Sequence, residues 1–381
     1  MKRNVLEYLE ARVRAHPKKI AVDDGQVHLR WEELLDLSQR VGSGLLPLTA
    51  RRDPVAVLAE KSAATLGLFL GIVQAGCFYV LLNPDLPPAR LQQVQAVLGA
   101  KRLITDEQHY DLARQVMPEE GILLAKDLAE TPTDPAALAA VRQQALDTDP
   151  LYANFTSGST GVPKGVVVSH RSVLDFIDCF VPLFGIDQED VLACQAPFDF
   201  DVSVKDIYAA LKTGATLILL PKQLFSTPAA LVDRLCECQV TTLIWAVSAL
   251  CLVSSFHGLD YRTPTSVKRV LFSGEEMPRK ALETWMRHLP QADFVNLYGP
   301  TEITCNCTYH RVDRTRDYAE GLPIGRPFPN EGVFLLDEQG QEITAPGQVG
   351  ELCVRGTALA LGYLNAPEQT ARAFCQNPLN P

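Results

Sequence analysis

Tyr152-Ala-Asn-Phe-Thr156-Ser157-Gly158-Ser159-Thr160-Gly161-Val-Pro163-Lys164-Gly165 gathers four hydroxyls, three glycines, a proline and a lysine into its last ten residues. Glycine lets the backbone bend close to a ligand and expose its N–H groups. Hydroxyls and backbone N–H groups wrap phosphate oxygens, and a lysine adds a point charge. A flexible Ser/Gly linker has a similar composition. This stretch differs from one because an apolar segment precedes it and Val166-Val-Val168 follows it as a strand. It is also not a P-loop, which ends in Gly-Lys-Ser/Thr; here Lys164 follows a proline and precedes a glycine.

Strands and helices alternate on both sides of this loop. Val55–Ala59 reads as a strand, Lys61–Gln74 as a helix, Phe78–Leu82 as a strand and Pro88–Leu98 as a helix; Arg102–Thr105 and Ile122–Ala125 are short strands. After the loop, the helices 204–212, 228–238 and 279–288 alternate with the strands 215–220, 241–245, 267–272 and 294–298. Such alternation implies βαβ units and mostly parallel sheets, whose binding sites lie at the carboxyl ends of the strands. From about Val312 the pattern turns β-rich, with Val333–Leu336 and Gln341–Thr344 expected to pair as a hairpin. The polar, alanine-rich stretch 131–149 reads as a surface connection. The expected fold is α/β: two doubly wound, mostly parallel sheets with a β-rich, distorted-barrel C-terminal lobe. The expected divisions are 1–185, 186–311 and 312–381.

Composition narrows the functional classes. A formal net charge of −10 argues against a nucleic-acid surface, which needs a clustered basic face. The greasiest stretch, Gly67–Leu82, is broken by Gln74 and Gly76 and reads as a buried helix and strand, not a membrane span. The N-terminus carries no signal-peptide apolar region, and the ten cysteines show no framework spacing. Reduced thiols in a cytoplasmic protein are expected, with no membrane partner. Cys305 and Cys307 lack the two further ligands that a metal site requires.

Several motifs fall at expected strand ends. Asn296-Leu-Tyr298-Gly299-Pro-Thr301-Glu302 offers an aromatic face for a purine, a hydroxyl for a phosphate and a carboxylate for Mg²⁺, a hard cation that prefers oxygen. An ordinary strand-to-loop turn is the plain alternative. Ser273-Gly274-Glu275-Glu276 ends another strand and reads equally as a solvated acidic turn. Asp201, in Phe200-Asp201-Val202-Ser203-Val204-Lys205, precedes a helix and can serve as its cap.

Taken together, the loop Thr156–Gly165, the Tyr298–Glu302 motif and the run 350–356 with Gly362-Tyr-Leu364 resemble the adenylate-forming superfamily. That superfamily comprises acyl-CoA synthetases, luciferases and the adenylation domains of nonribosomal peptide synthetases. The resemblance covers essentially the whole chain. It implies that Thr156, Ser157, Gly158, Ser159, Thr160, Gly161 and Lys164 close over the β- and γ-phosphates of ATP. It assigns Tyr298, with Asn296, Gly299, Gly274 and Glu275, to the nucleotide, Thr301 to the α-phosphate and Glu302 to Mg²⁺. His170 sits where the resemblance implies a histidine near carboxylate activation, although a lone histidine is often structural.

Asp201 matches the aspartate that pairs with a substrate α-ammonium in amino-acid-activating members. The resemblance carries over a side-chain pocket of Val202, Lys205, Ser248, Leu271, Ser273, Leu297, Cys305 and Asn306. A lysine in such a pocket favours an acidic or polar substrate side chain, whether glutamate- or aspartate-like or serine-like; alternatively Lys205 snorkels to solvent. The implied reaction is ATP-dependent formation of an aminoacyl-AMP, then loading onto a carrier protein through its phosphopantetheine arm. An acyl- or aryl-CoA synthetase and a non-catalytic ATP- or partner-binding module are the alternatives. Superfamily members continue with a ribose-gripping Tyr-Arg-Thr-Gly-Asp-like segment and a small lysine-bearing catalytic domain. The chain is therefore expected to be the large N-terminal part, competent to bind but weakly active.

Overall fold

The computed structural model describes residues 2–156 and 161–379. Two sheets carry the fold. One has nine strands in the order Arg326–Pro327, Thr308–Arg311, Asp293–Tyr298, Arg269–Ser273, Thr242–Ala246, Val191–Cys194, Thr216–Leu219, Ile20–Asp23 and His28–Arg30. Its six interior strands from Asp293–Tyr298 through Ile20–Asp23 run parallel, and the flanking ones are antiparallel. The other has seven, in the order Gly362–Tyr363, Lys164–Ser169, Pro150–Thr156, Phe78–Leu82, Pro54–Leu58, Arg102–Thr105 and Ile122–Leu124. Five of these are parallel, and Lys164–Ser169 and Gly362–Tyr363 are antiparallel additions at one edge.

One apolar core joins the two sheets. The helix Ala63–Gln74 is buried on nearly every face, as a helix that is apolar all round must be. Ser62 caps it by accepting the Thr65 N–H at 3.1 Å. Its glycines set how close its neighbour Trp31–Leu45 comes: a Cβ on Gly67 would lie 2.3 Å from Leu37 Cδ2, and one on Gly71 2.4 Å from Val41 Cγ1. Phe69 stacks on Tyr79 at 4.2 Å between ring centroids. The Tyr79 hydroxyl meets that of Tyr208 at 2.9 Å, bringing the helix Val202–Thr213 of the nine-stranded unit against the seven-stranded sheet.

Three expectations change. Glu331–Leu336 does turn at Asp337–Gly340, but its ladder partner is Glu351–Gly356; residues 341–344 contribute a single bridge, Leu336 to Glu342. Ala345-Pro-Gly347 keeps that short pairing from extending, because proline has no N–H for a ladder. No closed barrel forms among the described residues: the C-terminal strands make that two-stranded ribbon and otherwise join the edges of the two large sheets. The stretch 131–149 holds a helix, Pro135–Gln144, capped by Asp134 and anchored by buried Leu138. Strand pairing also crosses residues 185 and 311, since Ile20–Asp23 lies beside Thr216–Leu219 and Gly362–Tyr363 beside Lys164–Ser169.

Candidate active site

The phosphate-type loop joins two antiparallel strands with Thr156 directly opposite Lys164. Ser157, Gly158, Ser159 and Thr160 lie outside the described residues. Gly161 adopts φ +80°, a conformation that favours glycine, and its carbonyl accepts from Arg90 Nη1 at 3.1 Å. Lys164 Nζ stands 5.4 Å from the ring centroid of Tyr363. The Tyr363 hydroxyl donates to Glu302 Oε1 at 2.6 Å. Burial and the Glu302 carboxylate push that phenol up to about 12. Glu302 lies in the short turn Thr301–Ile303. Its carbonyl accepts the Ala360 N–H at 2.8 Å, and the Thr304 hydroxyl donates to the Ala358 carbonyl at 2.6 Å. The C-terminal segment 358–363 is thus laced to the Thr301–Thr304 turn, and Tyr363 links Lys164 to Glu302.

The other expected residues gather at the carboxyl ends of the nine-stranded sheet. Tyr298 ends Asp293–Tyr298 and is 40% exposed. Gly299 passes against the next segment so tightly that a Cβ there would lie 2.5 Å from Asn306 Cα. Asn296 is buried and donates to the Pro323 carbonyl at 3.0 Å. Gly274, at φ +100°, turns out of Arg269–Ser273 into open space, and Glu275 beside it is exposed. Ser248 is exposed in the first turn of Val247–Ser255, just beyond Ala246, the register partner of Ser273.

Lys205 does not snorkel. It is fully buried, and Nζ donates to Asn306 Oδ1 at 2.7 Å and Ser273 Oγ at 3.2 Å. Burial pulls its pKa below the usual lysine range, while Cys305, Asp201 and Asp206 oppose the shift. Asp201 precedes the helix Val202–Thr213 but makes no capping hydrogen bond. Burial pushes its carboxyl up, with Lys205 and the Thr301 hydroxyl pulling the other way. Cys305 Sγ reaches the Asp201 carbonyl at 3.1 Å, and Val202, Leu271, Leu297 and Cys305 supply buried apolar surface. Asp206, one residue past Lys205, is also buried, and neither carboxylate oxygen has a hydrogen-bond partner of normal geometry. Burial holds that carboxyl well above the carboxylate range, with Lys205, Lys61 and the Cys194 thiol partly offsetting it.

His170 is not brought to this cluster. It opens the helix after Lys164–Ser169, so a six-residue strand, roughly 20 Å, separates it from Lys164. There it packs against the N-terminal segment: its Nδ1 accepts from the Val5 N–H at 3.4 Å and Asn4 Nδ2 lies 3.5 Å from Nε2. Burial, with Arg142 assisting, lowers its pKa to about 3.

Sequence reasoning gave Tyr363 only a structural place, although its motif was in view. It missed Lys61 and Asn83, which approach the Asp201 segment from the other sheet. A separate cavity of about 290 Å³ is lined by Lys61, Asn83, Phe198 and Phe225, and by none of the expected site residues. All ten cysteines are unpaired, and no cluster of three or more His, Cys, Asp or Glu suited to a metal occurs among the described residues. No helix among them is long and apolar enough to cross a membrane.

The family model for "AMP-binding enzyme" matches residues 9–364. The chain belongs to the AMP-binding enzyme family. Among curated relatives of this AMP-binding chain, the D-alanine–D-alanyl carrier protein ligase of Lacticaseibacillus casei (strain BL23) is 32% identical over 378 residues, covering 97% of this chain and 72% of that one. Surfactin synthase subunit 1 of Bacillus subtilis (strain 168) is 30% identical over 99% of this chain and 10% of its own length. Among solved structures, the nonribosomal peptide synthetase FmoA3 superposes with a TM-score of 0.88 at 26% identity, over 98% of this chain and 40% of that one. The same synthetase is also known in an AMPPNP-bound form. The chain therefore spans about two fifths of that synthetase and about seven tenths of the ligase.

Proposed function

We propose that this chain binds ATP and an amino acid and joins them as an aminoacyl-adenylate, releasing pyrophosphate, for transfer to the thiol of a carrier protein. The observation that carries this reading is half-buried Asp201 beside the buried group Lys205, Ser273 and Asn306, set at the strand ends near Thr301 and Glu302. A carboxylate raised by burial gains most from a cationic partner, because the ion pair offsets the desolvation of both. A substrate α-ammonium supplies that partner to Asp201. The carboxylate of the same substrate then faces the Thr301–Glu302 turn and the Lys164 side of the loop. Catalysis there consists of positioning and charge stabilisation.

The residues present fit ATP and Mg²⁺. Gly274 leaves backbone room for a nucleotide, Gly299 lets the Tyr298 turn close onto Asn306, and Lys164 offers a cation for phosphate. Tyr363 occupies one oxygen of Glu302, which leaves the other for a metal that characteristically takes one or two protein carboxylates plus phosphate oxygens and water. When bound, Mg²⁺ would neutralise phosphate charge.

The side-chain specificity follows from charge balance. In the free protein, Asp201 helps to compensate Lys205. Once an α-ammonium engages Asp201, Lys205 loses that share of its compensation, and its hydrogen-bond acceptors, Asn306 and Ser273, are neutral. A buried ammonium in that state is costly, and an acidic substrate side chain restores the balance. We therefore favour glutamate or aspartate over serine. The small substrate named in the D-alanine–D-alanyl carrier protein ligases is the competing reading. Pyrophosphate exchange with L-glutamate, L-aspartate, L-serine and D-alanine decides between them, with sulfamoyl-adenosine analogues of the same amino acids titrated by calorimetry. Aminoacyl analogues are expected to bind at least a hundredfold more weakly to Asp201→Ala, with AMP binding changed less than threefold. Tight binding of a fatty or aryl acyl analogue alone would sink the amino-acid reading.

A further inference from the structure

We propose that Lys61 is a positioning residue: it reaches across from the seven-stranded sheet and fixes the segment that presents Asp201. The inference rests on the reading of Asp201 given above. Lys61 follows the strand Pro54–Leu58 and precedes the cap of the helix Ala63–Gln74. Its Nζ donates to three successive carbonyls of the other sheet's connection: Cys194 at 3.0 Å, Gln195 at 2.9 Å and Ala196 at 3.2 Å. An ammonium has three N–H donors, so its whole hydrogen-bonding capacity is spent on one backbone stretch. Those carbonyls span the last residue of the strand Val191–Cys194 and the two residues after it, five to seven residues before Asp201.

A second grip lies between the clamp and Asp201. Asn83, just past the neighbouring strand Phe78–Leu82, donates through Nδ2 to Asp199 Oδ2 at 3.2 Å. Both grips therefore come from strand ends of one sheet and act on a segment of the other. The segment needs them: residues 195–201 belong to no strand or helix, and Asp201 lacks the capping bond that would fix it locally. Burial pulls the Lys61 pKa below the usual lysine range, and nearby Cys194 and Asp206 oppose that shift without a carboxylate in direct contact. Three charge-assisted bonds from one rigidly based side chain define position more sharply than the loop's own contacts. An error of about 1 Å in such a group is enough to cost binding or rate a hundredfold.

The test compares Lys61→Met, Lys61→Arg and Ser62→Ala in the full chain. Ser62→Ala removes the cap of the same helix without touching the three carbonyls, and so reports helix destabilisation alone. Hydrogen exchange of amides 196–203 should be at least tenfold faster in Lys61→Met, partly restored in Lys61→Arg and unchanged in Ser62→Ala. Glutamyl-sulfamoyl-adenosine should bind about tenfold more weakly to Lys61→Met, with AMP affinity within twofold of the parent. In an Asp201→Ala background the same substitution should add no further loss, because the group it positions is gone. Unchanged exchange at 196–203, or a loss that adds fully to that of Asp201→Ala, overturns the proposal. The exchange measurement needs no ligand. If no aminoacyl analogue binds the parent chain, the adenylation reading fails, while the exchange result still decides whether Lys61 fixes this segment.

Discussion

Lowering the pH should loosen this protein through His170, by an amount the structure sets. The ring is 3% exposed, and Nδ1 accepts from the Val5 N–H, which requires that nitrogen to be unprotonated. Burial lowers the folded-state pKa to about 3 from an unfolded value of 6.5. The folded state therefore holds histidine neutral while the unfolded chain takes up a proton below pH 6.5. Stability from this group is fully present above pH 6.5, falls as pH drops below it, and stops falling near pH 3. Between pH 7 and pH 5 the loss is about 2 kcal/mol, and the ceiling at low pH is about 5 kcal/mol, from ~1.4 kcal/mol per pKa unit. Other groups titrate in the same range, so the informative quantity is a difference. Urea unfolding of the parent and of His170→Gln at pH 7 and pH 5 gives it: the parent should lose about 2 kcal/mol more than the variant. Loss of protection at the N-terminal helix Leu6–Ala15, which packs beside this ring, should lead the transition in hydrogen exchange. Equal pH dependence in the two proteins would refute the assignment of a buried neutral imidazole.

Three further outcomes follow from contacts at the site. Gly299→Ala should lower stability by about 1–3 kcal/mol through overpacking and weaken ATP-analogue binding at least tenfold, because the added methyl meets the Asn306 backbone; calorimetry and thermal unfolding would read both. Tyr363→Phe removes a donor to a carboxylate and should cost about 1 kcal/mol, while raising the KM for Mg·ATP severalfold and leaving that for the amino acid nearly unchanged. Lys205→Met should lower pyrophosphate exchange with an acidic amino acid more than tenfold and narrow its advantage over D-alanine and L-serine. An unaltered ranking of substrates would show that the ammonium does not choose the side chain.

Local signals were enough for much of the fold. The strand Phe78–Leu82 and the helices Pro88–Leu98 and Arg279–His288 are found with the boundaries read from the sequence. Each is delimited by residues with strong backbone preferences, such as Pro88 at a first turn and Gly99 at φ +65° after a last one. The amphipathic helices Trp31–Leu45 and His170–Phe184 went unread, although Ser169 and Gly185, at φ +64°, punctuate the second as clearly as Gly99 closes Pro88–Leu98. The pairing of Glu331–Leu336 was misread because a nearby turn signal says only that the chain reverses, not which later strand supplies the ladder.

The candidate site divides in the same way. Its motif residues are contiguous in sequence because a phosphate loop or a strand-end turn is a local backbone shape. Glycine, proline and hydroxyl positions reveal such a shape directly. The fate of the Lys205 side chain was open between pocket and solvent, since one charged residue in the first turns of a helix carries no information about what faces it. Only packing against Ser273 and Asn306, 68 and 101 residues away, turned it inward. The same holds for Lys61 on the carbonyls of residues 194–196, for Tyr363 on Glu302, and for His170 against the N-terminus rather than the cluster. Short-range backbone preferences are written in short stretches of sequence. Which charges and hydrogen-bonding groups meet depends on how two sheets are docked, and that was decided by the shared core between them.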